Sequence, residues 1–478
     1  MSHKNSAPFG VKWTSFSTAI TTGLQFLQLA ILANILSPED FGLMAMILVV
    51  IGFAQAYADM GISNAIIHRQ DITKEQLSSL YWLNIFAGII VYLLLLILIP
   101  IVVKIFDEPR LSDLMYWAII VIITTAFGQQ FQILLQKYLQ FKTLSIVEII
   151  AAFFGTMIAI ITALRGQGVF SLIWGQIGNS IIKSIMFAYI GWKKWRPCLR
   201  FKYSDLDGYL RFGFYQMGEK SINFIISHLD QFLIGVFIGA QALGFYNLAY
   251  NLVIQPILKI NQILTRVAFP FFSKIQFNIE RLKNGYLLTI KLLCFINIPL
   301  LIGLAVVAPY FVPVVFGDKW LPVVLLVQIL AFVAILRSIG NPIGSLLLAK
   351  GRADLGFKWN VMVLITLIIG IYLGLYFGDV IGVTISLLIL NIIYSFLNYL
   401  ILIRKMVGPC LKEYLLAIFP TLGISILMAI IVAIIPVIIN QSDGIILFSQ
   451  ILIGVIIYFS LNFTLRKQHI REIKQLDL

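Results

Sequence analysis

Apolar runs follow one another along nearly the whole chain, and each is long enough to cross a lipid bilayer. A hydrocarbon core roughly 30 Å thick needs about 20 apolar residues at 1.5 Å per residue. Fourteen such runs can be drawn, at approximately 13–36, 41–66, 79–104, 113–136, 144–164, 169–192, 208–238, 244–270, 285–308, 322–348, 357–377, 381–403, 414–437 and 444–465. Between them lie short connectors with turn chemistry, such as Ser37-Pro38-Glu39-Asp40, Arg165-Gly166-Gln167-Gly168 and Phe316-Gly317-Asp318-Lys319. None could hold a soluble domain. With 60% hydrophobic residues, 12% charged residues and a mean hydropathy of +0.96, the chain reads as an all-α integral membrane protein.

Orientation follows from the basic residues, because short loops rich in Lys and Arg stay cytoplasmic. Of the 35 Lys and Arg, 25 fall on the side of the N-terminus under the fourteen-span reading, and only Lys104, Arg110, Arg165 and Lys319 fall opposite. Both termini are therefore expected in the cytoplasm, with the protein multi-pass in its membrane. The net charge of +14 is then mostly topology, and no nucleic-acid partner is implied. The first run does not read as a cleaved signal, since it carries a polar stripe and no small-x-small site. The three cysteines suggest no disulfide framework: Cys198 and Cys410 fall in loops, and Cys294 lies in a span.

One stretch is written twice. "ILANILSPEDFGLMA" at 31–45 and "LIGVFIGAQALGFYN" at 233–247 align at an offset of 202, which puts Leu36-Ser37 on Ile238-Gly239, Phe41 on Leu243 and Gly42 on Gly244. At the same offset Thr14, Ser17, Thr21, Gln25 and Gln28 fall on Gln216, Glu219, Asn223, Ser227 and Asp230, each set on one helical face. The economical organisation is two six-helix lobes related by a pseudo-two-fold axis along the membrane normal, plus two extra C-terminal helices. Residues 1–192 form the N-terminal lobe, 193–207 a cytoplasmic inter-lobe linker, 208–403 the C-terminal lobe, and 404–478 the last two spans with a tail. The basic linker "KKWRPCLRFKYSDLD" reads equally as a tether touching anionic headgroups or as the longest positive-inside loop.

Charges inside the spans mark candidate functional positions, since a cation at mid-bilayer costs on the order of 2.5–3.5 kcal/mol. Lys183, Lys220, Lys259, Lys291, Arg266 and Arg337 are such cations; Asp59, Glu219 and Asp230 are acidic candidates for ion coupling. In the eighth run Asn247, Asn251, Gln255, Lys259, Gln262 and Arg266 recur at steps of three and four, a continuous polar face. Pairing of Lys259 with Glu219 or Asp230 is the packing alternative. An excess of cations in a dry cavity favours an anionic ligand. Gln25, Gln28, Gln216, Asn223, Asn247, Asn251 and Gln255 add a polar lining. No cofactor or metal is expected: there is no phosphate-loop motif, the four histidines are dispersed, and no nucleophile sits beside a base. The chain does not read as an enzyme.

"FAQAYADMGISNAIIHRQDITKEQLSSLYWLNIFAG", residues 53–88, and "LDQFLIGVFIGAQALGFYNLAYNLVIQP", residues 229–256, resemble signatures of the polysaccharide transporters of the multidrug/oligosaccharidyl-lipid/polysaccharide exporter superfamily. The likeness is to the colanic-acid and teichuronic-acid branch of Wzx-type flippases, and it extends over essentially the whole chain. It implies a V-shaped pair of six-helix bundles that flips an undecaprenyl-pyrophosphate-linked oligosaccharide repeat unit between leaflets by alternating access. The pyrophosphate would meet the cations and the sugar the amides. Membrane lipids and the polysaccharide polymerase machinery are the implied partners. A cation-coupled multidrug or small-solute exporter of the same superfamily, or a peptidoglycan-precursor (lipid II) flippase, are the alternatives.

Overall fold

The computed structural model describes residues 6–69, 71–439 and 441–465, and no β-strand occurs among them. The chain divides into two compact units, residues 1–244 and 245–478. The first contains α1 (Ser6–Ile35), α2 (Pro38–Ala58), α3 (Ile62–His68), α4 (Lys74–Phe106), α5 (Leu111–Ala118), α6 (Ile120–Lys137), α7 (Phe141–Leu164), α8 (Phe170–Trp192), α9 (Tyr209–Phe237) and the first turn of α10 (Ala240–Ile275). The second contains the remainder of α10, then α11 (Ile279–Phe316), α12 (Val323–Gly340), α13 (Pro342–Ala349), α14 (Ala353–Asn398), α15 (Arg404–Val407), α16 (Leu411–Ile438) and α17 (Asp443–Leu465).

Ten helical stretches among the described residues are long and apolar enough to cross a membrane, so the protein is a multi-pass membrane protein. Three further helices, α8, α9 and α10, run 23, 29 and 36 residues but carry more polar side chains. Two expected spans merge into the 46-residue α14, whose helical geometry breaks at Gly378 and at Asp379 (φ 52°).

The connector read at Ser37–Asp40 is instead the start of a helix. Ser37 Oγ accepts from the Asp40 N–H at 3.2 Å, the Asp40 carboxylate accepts from the Ser37 N–H at 2.8 Å, and Pro38 occupies the first turn. This reciprocal cap satisfies orphan amides and suits Pro, which has no N–H to lose there. Beside it Arg110 bridges Glu39 and Glu108, at 2.7 Å to each. The second expected run, 41–66, is cut at Asp59-Met60-Gly61, where Met60 and Gly61 take φ of 46° and 66°.

The polar stripe of α1 is partly answered by its own helix. Thr21 Oγ1 donates to the Ser17 carbonyl at 2.8 Å and Ser17 Oγ to the Thr14 carbonyl at 3.1 Å, as hydroxyls in apolar helices commonly do. Gln28 reaches further, accepting from Thr156 of α7 at 2.9 Å.

The linker packs as part of the first unit. Trp195 is buried against Tyr81 of α4 and Phe131 of α6, with ring centroids 5.8 and 5.7 Å away, contacts worth roughly 0.5–1.5 kcal/mol each beyond their buried area. Trp82 Nε1 donates to the Cys198 carbonyl at 2.8 Å, and Ser78 Oγ accepts from the Cys198 N–H at 3.1 Å. Ser79 Oγ accepts from the Lys202 N–H at 3.2 Å and donates to Asp205 at 2.7 Å. In the second unit α11 packs against α12 and α16.

Candidate functional site

The helices α2 and α9 lie antiparallel along a seam that small residues make possible. At one end Gly42 faces Ala240, and a methyl on Gly42 would lie 1.7 Å from the Ala240 carbonyl oxygen. Further along, Phe224 lies over Gly52 and its ring stands 6.2 Å from that of Phe53. At the other end Gly61 faces Gly213, and a methyl on Gly213 would lie 2.2 Å from the Met60 carbonyl oxygen. The left-handed turn at Met60-Gly61 ends α2 and starts α3, and it leaves Asp59 on the seam.

Lys220 is seven residues beyond Gly213, so two turns of helix return it to the same face. Its Nζ lies 2.5 Å from Asp59 Oδ2. The other carboxylate oxygen accepts from Gln129 Nε2 of α6 at 2.6 Å and from the Ser63 hydroxyl. Gln129 Nε2 also lies 3.0 Å from Ser63 Oγ. The two partners differ in exposure: the Asp59 side chain is 9% exposed and the Lys220 side chain 38%. A buried carboxylate is tolerated when donors occupy its oxygens, and here three side chains do so. Lys220 by contrast keeps a face open to a second anion. A turn earlier along α9, a cavity of about 400 Å³ is lined by Met60, Leu210, Phe214, Tyr215 and Met217, apolar apart from the tyrosine.

The six cations singled out from sequence are divided between the units. Lys183 and Lys220 belong to the first, Lys183 standing 5.9 Å from the Phe187 ring. Lys259, Lys291 and Arg337 are half-buried in the second. The side chains of Arg266 and Glu219 lie outside the described residues. Asp230 is buried and accepts from the Gln231 N–H at 2.8 Å. Gln216 packs beside Gly61, while Gln25 and Asn223 are exposed. Asn251 donates to the Asn247 carbonyl at 2.9 Å and to its side chain, so that pair of the α10 face is linked; Gln255 follows half-buried.

Two groups escaped the sequence reading. Gln129 and Ser63 complete the Asp59 cluster; the doublet Gln129-Gln130 in an apolar helix was the available signal. In the second unit Asn261, Asn297 and Ser338 form a buried network, with Asn297 Nδ2 at 2.6 Å from Ser338 Oγ and 3.1 Å from Asn261 Oδ1. Asn261 adjoins Gln262 but lies off the polar face traced in sequence. Among the described residues no group of three or more His, Cys, Asp and Glu side chains is gathered for a metal ion.

Residues 31–325 match the family described as polysaccharide biosynthesis protein. The chain belongs to that family. Its relatives include the lipopolysaccharide biosynthesis protein WzxC of Escherichia coli (strain K12), 34% identical over 438 residues, which are 90% of this chain and 89% of that protein. The teichuronic acid biosynthesis protein TuaB of Bacillus subtilis (strain 168) is 39% identical over 356 residues, 74% of each chain. Both bear out the Wzx-type resemblance of the sequence. In fold the chain is similar to the lipid II flippase MurJ in an inward closed conformation, with a TM-score of 0.75 at 16% identity, covering 95% of this chain and 99% of that one. The two relatives are thus named for biosynthesis, and the fold neighbour is a flippase.

Proposed function

We propose that this family member translocates an undecaprenyl-pyrophosphate-linked oligosaccharide repeat unit across the bacterial cytoplasmic membrane for surface polysaccharide biosynthesis. The observation that carries the reading is Lys220: a cation on a long helix, steadied by the buried Asp59 and partly exposed, about one helical turn from an apolar hollow at Met217. A phosphate attached to a lipid has the two chemistries such a place would take. The relatives named for lipopolysaccharide and teichuronic acid biosynthesis support the class of cargo.

The architecture that goes with this function has fourteen spans: the ten apolar stretches, the more polar α8, α9 and α10, and α14 counted twice across its break at Gly378. Both termini are cytoplasmic in this reading. Residues 1–192 and 208–403 are two six-helix repeats about an axis along the membrane normal. The reciprocal glycine contacts at Gly42 and Gly244 support it, because their partners Ala240 and Pro38 are related by the same offset of 202.

Lys183, Lys220, Lys259, Lys291, Arg337 and Arg266 then serve the pyrophosphate, and Gln25, Gln28, Gln216, Asn223, Asn247, Asn251 and Gln255 the sugar. Asp59, Glu219 and Asp230 are the positions for a coupling ion. At Lys220 the pyrophosphate takes the open side of an ammonium group that Asp59 also holds, so arrival of cargo weakens the Asp59–Lys220 pair across the α2–α9 seam. Cargo thereby binds the two states unequally, which is the requirement for driving any change between them.

The test is the sidedness of lipid-linked oligosaccharide in cells depleted of this protein and of other flippases. Accumulation on the cytoplasmic leaflet, cured by wild type and not by a normally inserted Lys220→Gln, is expected. No accumulation would remove the reading.

A further inference from the structure

We propose that the segment joining α8 to α9, residues 193–207, is an interfacial strap that binds the anionic headgroups of the membrane leaflet on which it lies. This goes beyond the translocation reading and does not depend on it. The position of the strap comes from two contacts. It leaves the C-terminus of α8, and the Phe201 ring packs edge-on against Phe86 with centroids 6.4 Å apart. Phe86 is an exposed residue in the first half of the membrane-crossing α4, so the strap meets the exposed flank of that helix.

The two sides of the strap differ in chemistry. Its inner side is fixed to the protein by Trp195 and by the bonds of Ser78, Ser79 and Trp82 described above. Its outer side presents Lys193, Lys194, Arg196, Arg200 and Lys202, all exposed, against Asp205 and Asp207. Asp205 is already engaged by Ser79 and stands 3.9 Å from Arg200. Between these cations Leu199 is 94% exposed and Tyr203 77%. Five basic residues beside a membrane-crossing helix attract an anionic leaflet, and an apolar side chain among them enters the headgroup region. A water-facing loop gains nothing from Leu199 in that setting. Tyr189, in the last turns of α8, is exposed beneath the Lys193 ammonium at 5.1 Å, as amphipathic rings at an interface are.

The strap also ends at the helix that carries Lys220. Arg69 stacks 4.5 Å over the Tyr209 ring and donates to the Asp207 carbonyl at 3.3 Å. Lipid bound along the strap therefore bears on the start of α9.

Cys198 supplies the probe site, since it is exposed on the strap while Cys294 and Cys410 are buried. The full-length protein, labelled there with an environment-sensitive thiol fluorophore, is placed in nanodiscs of phosphatidylcholine alone or with phosphatidylglycerol. In the anionic discs the emission shifts to the blue and quenching by neutral acrylamide falls several-fold. Salt of about 1 M, which shortens the Debye length to about 3 Å, removes the difference. Combined Lys193→Gln, Arg196→Gln and Lys202→Gln, which spare the Arg200–Asp205 contact, bring the anionic-disc signal to that of neutral discs. Equal quenching of the wild type in the two discs, or a difference that survives high salt, overturns the proposal; the wild-type salt series decides it even where the triple variant fails to fold.

Discussion

Gly42 and Gly244 make reciprocal contacts: a methyl on Gly42 would lie 1.7 Å from the Ala240 carbonyl oxygen, and one on Gly244 would lie 1.8 Å from the Pro38 carbonyl oxygen. Each glycine admits the backbone that opens the other helix. Backbone atoms cannot rotate away as a flexible side chain can, so an added methyl has to part the helices.

Gly42→Ala and Gly244→Ala are therefore each expected to lower stability by about 1–3 kcal/mol, the range of overpacking in a closed interior. Gly23→Ala is the control. Nothing lies within 4 Å of a methyl there, and replacing Gly within α1 is expected to raise stability by roughly 0.5–1 kcal/mol. Unfolding in detergent followed by fluorescence checks all three.

Asp59 and Lys220 should be energetically coupled. Removing one partner of a fully buried pair costs about 3–5 kcal/mol. Lys220 is 38% exposed, so water recovers part of that. A double-mutant cycle with Asp59→Asn and Lys220→Gln is expected to give a coupling of about 0.5–3 kcal/mol. The single Asp59→Asn keeps the contacts with Ser63 and Gln129 in altered form, so it should cost less than Asp59→Ala. A coupling of zero would mean that the pair contributes nothing to the seam.

Asn297 holds the second unit together through polar contacts. Asn297→Leu leaves Asn261 and Ser338 buried with a shared partner gone, and is expected to cost about 1–3 kcal/mol. Ser338→Ala, which removes a hydroxyl but leaves the Asn261–Asn297 bond, should cost less. The same unfolding assay orders the two.

Arg110 gives one connector a pH dependence. Its hydrogen bonds hold the Glu108 carboxyl below the usual range, although partial burial pushes the other way. A lowered carboxylate pKa favours the folded state above the ordinary glutamate value of about 4.3, and the benefit is lost as pH falls through the lower folded-state value. Wild type should thus exceed Arg110→Gln in stability at neutral pH by at most about 1 kcal/mol, as for other exposed pairs. The gap should close on acidification below pH 4, read from melting curves across an acid series.

The membrane helices were legible because lipid demands long apolar runs, and nothing else in a sequence looks like them. The break at Asp59-Met60-Gly61 was not, since the turn at Met60 is packed against Gly213, a residue 153 positions away in the chain. Ser37-Pro38-Glu39-Asp40 was read as a connector because its composition is that of a turn, although the same residues make a reciprocal cap. Asp59 and Lys220 were both recognised from the cost of charge in lipid, but not as partners, because only the α2–α9 seam brings them together. Asn261, Asn297 and Ser338 were missed for the opposite reason: single neutral polar residues in apolar helices are common, and their meaning lies in three helices converging.

The central claim is that a cation on the α2–α9 seam serves the transport of a lipid-linked oligosaccharide. It is tested most directly by reconstituting purified protein in proteoliposomes with a fluorescent undecaprenyl-pyrophosphate oligosaccharide and measuring the fraction that reaches the opposite leaflet. Wild type is expected to move the lipid, and a correctly folded Lys220→Gln to move it at least about tenfold more slowly, the loss of one charge-assisted contact of roughly 1.5–3 kcal/mol. Equal rates for the two would contradict a role for Lys220, and no movement by wild type above empty vesicles would contradict the function itself.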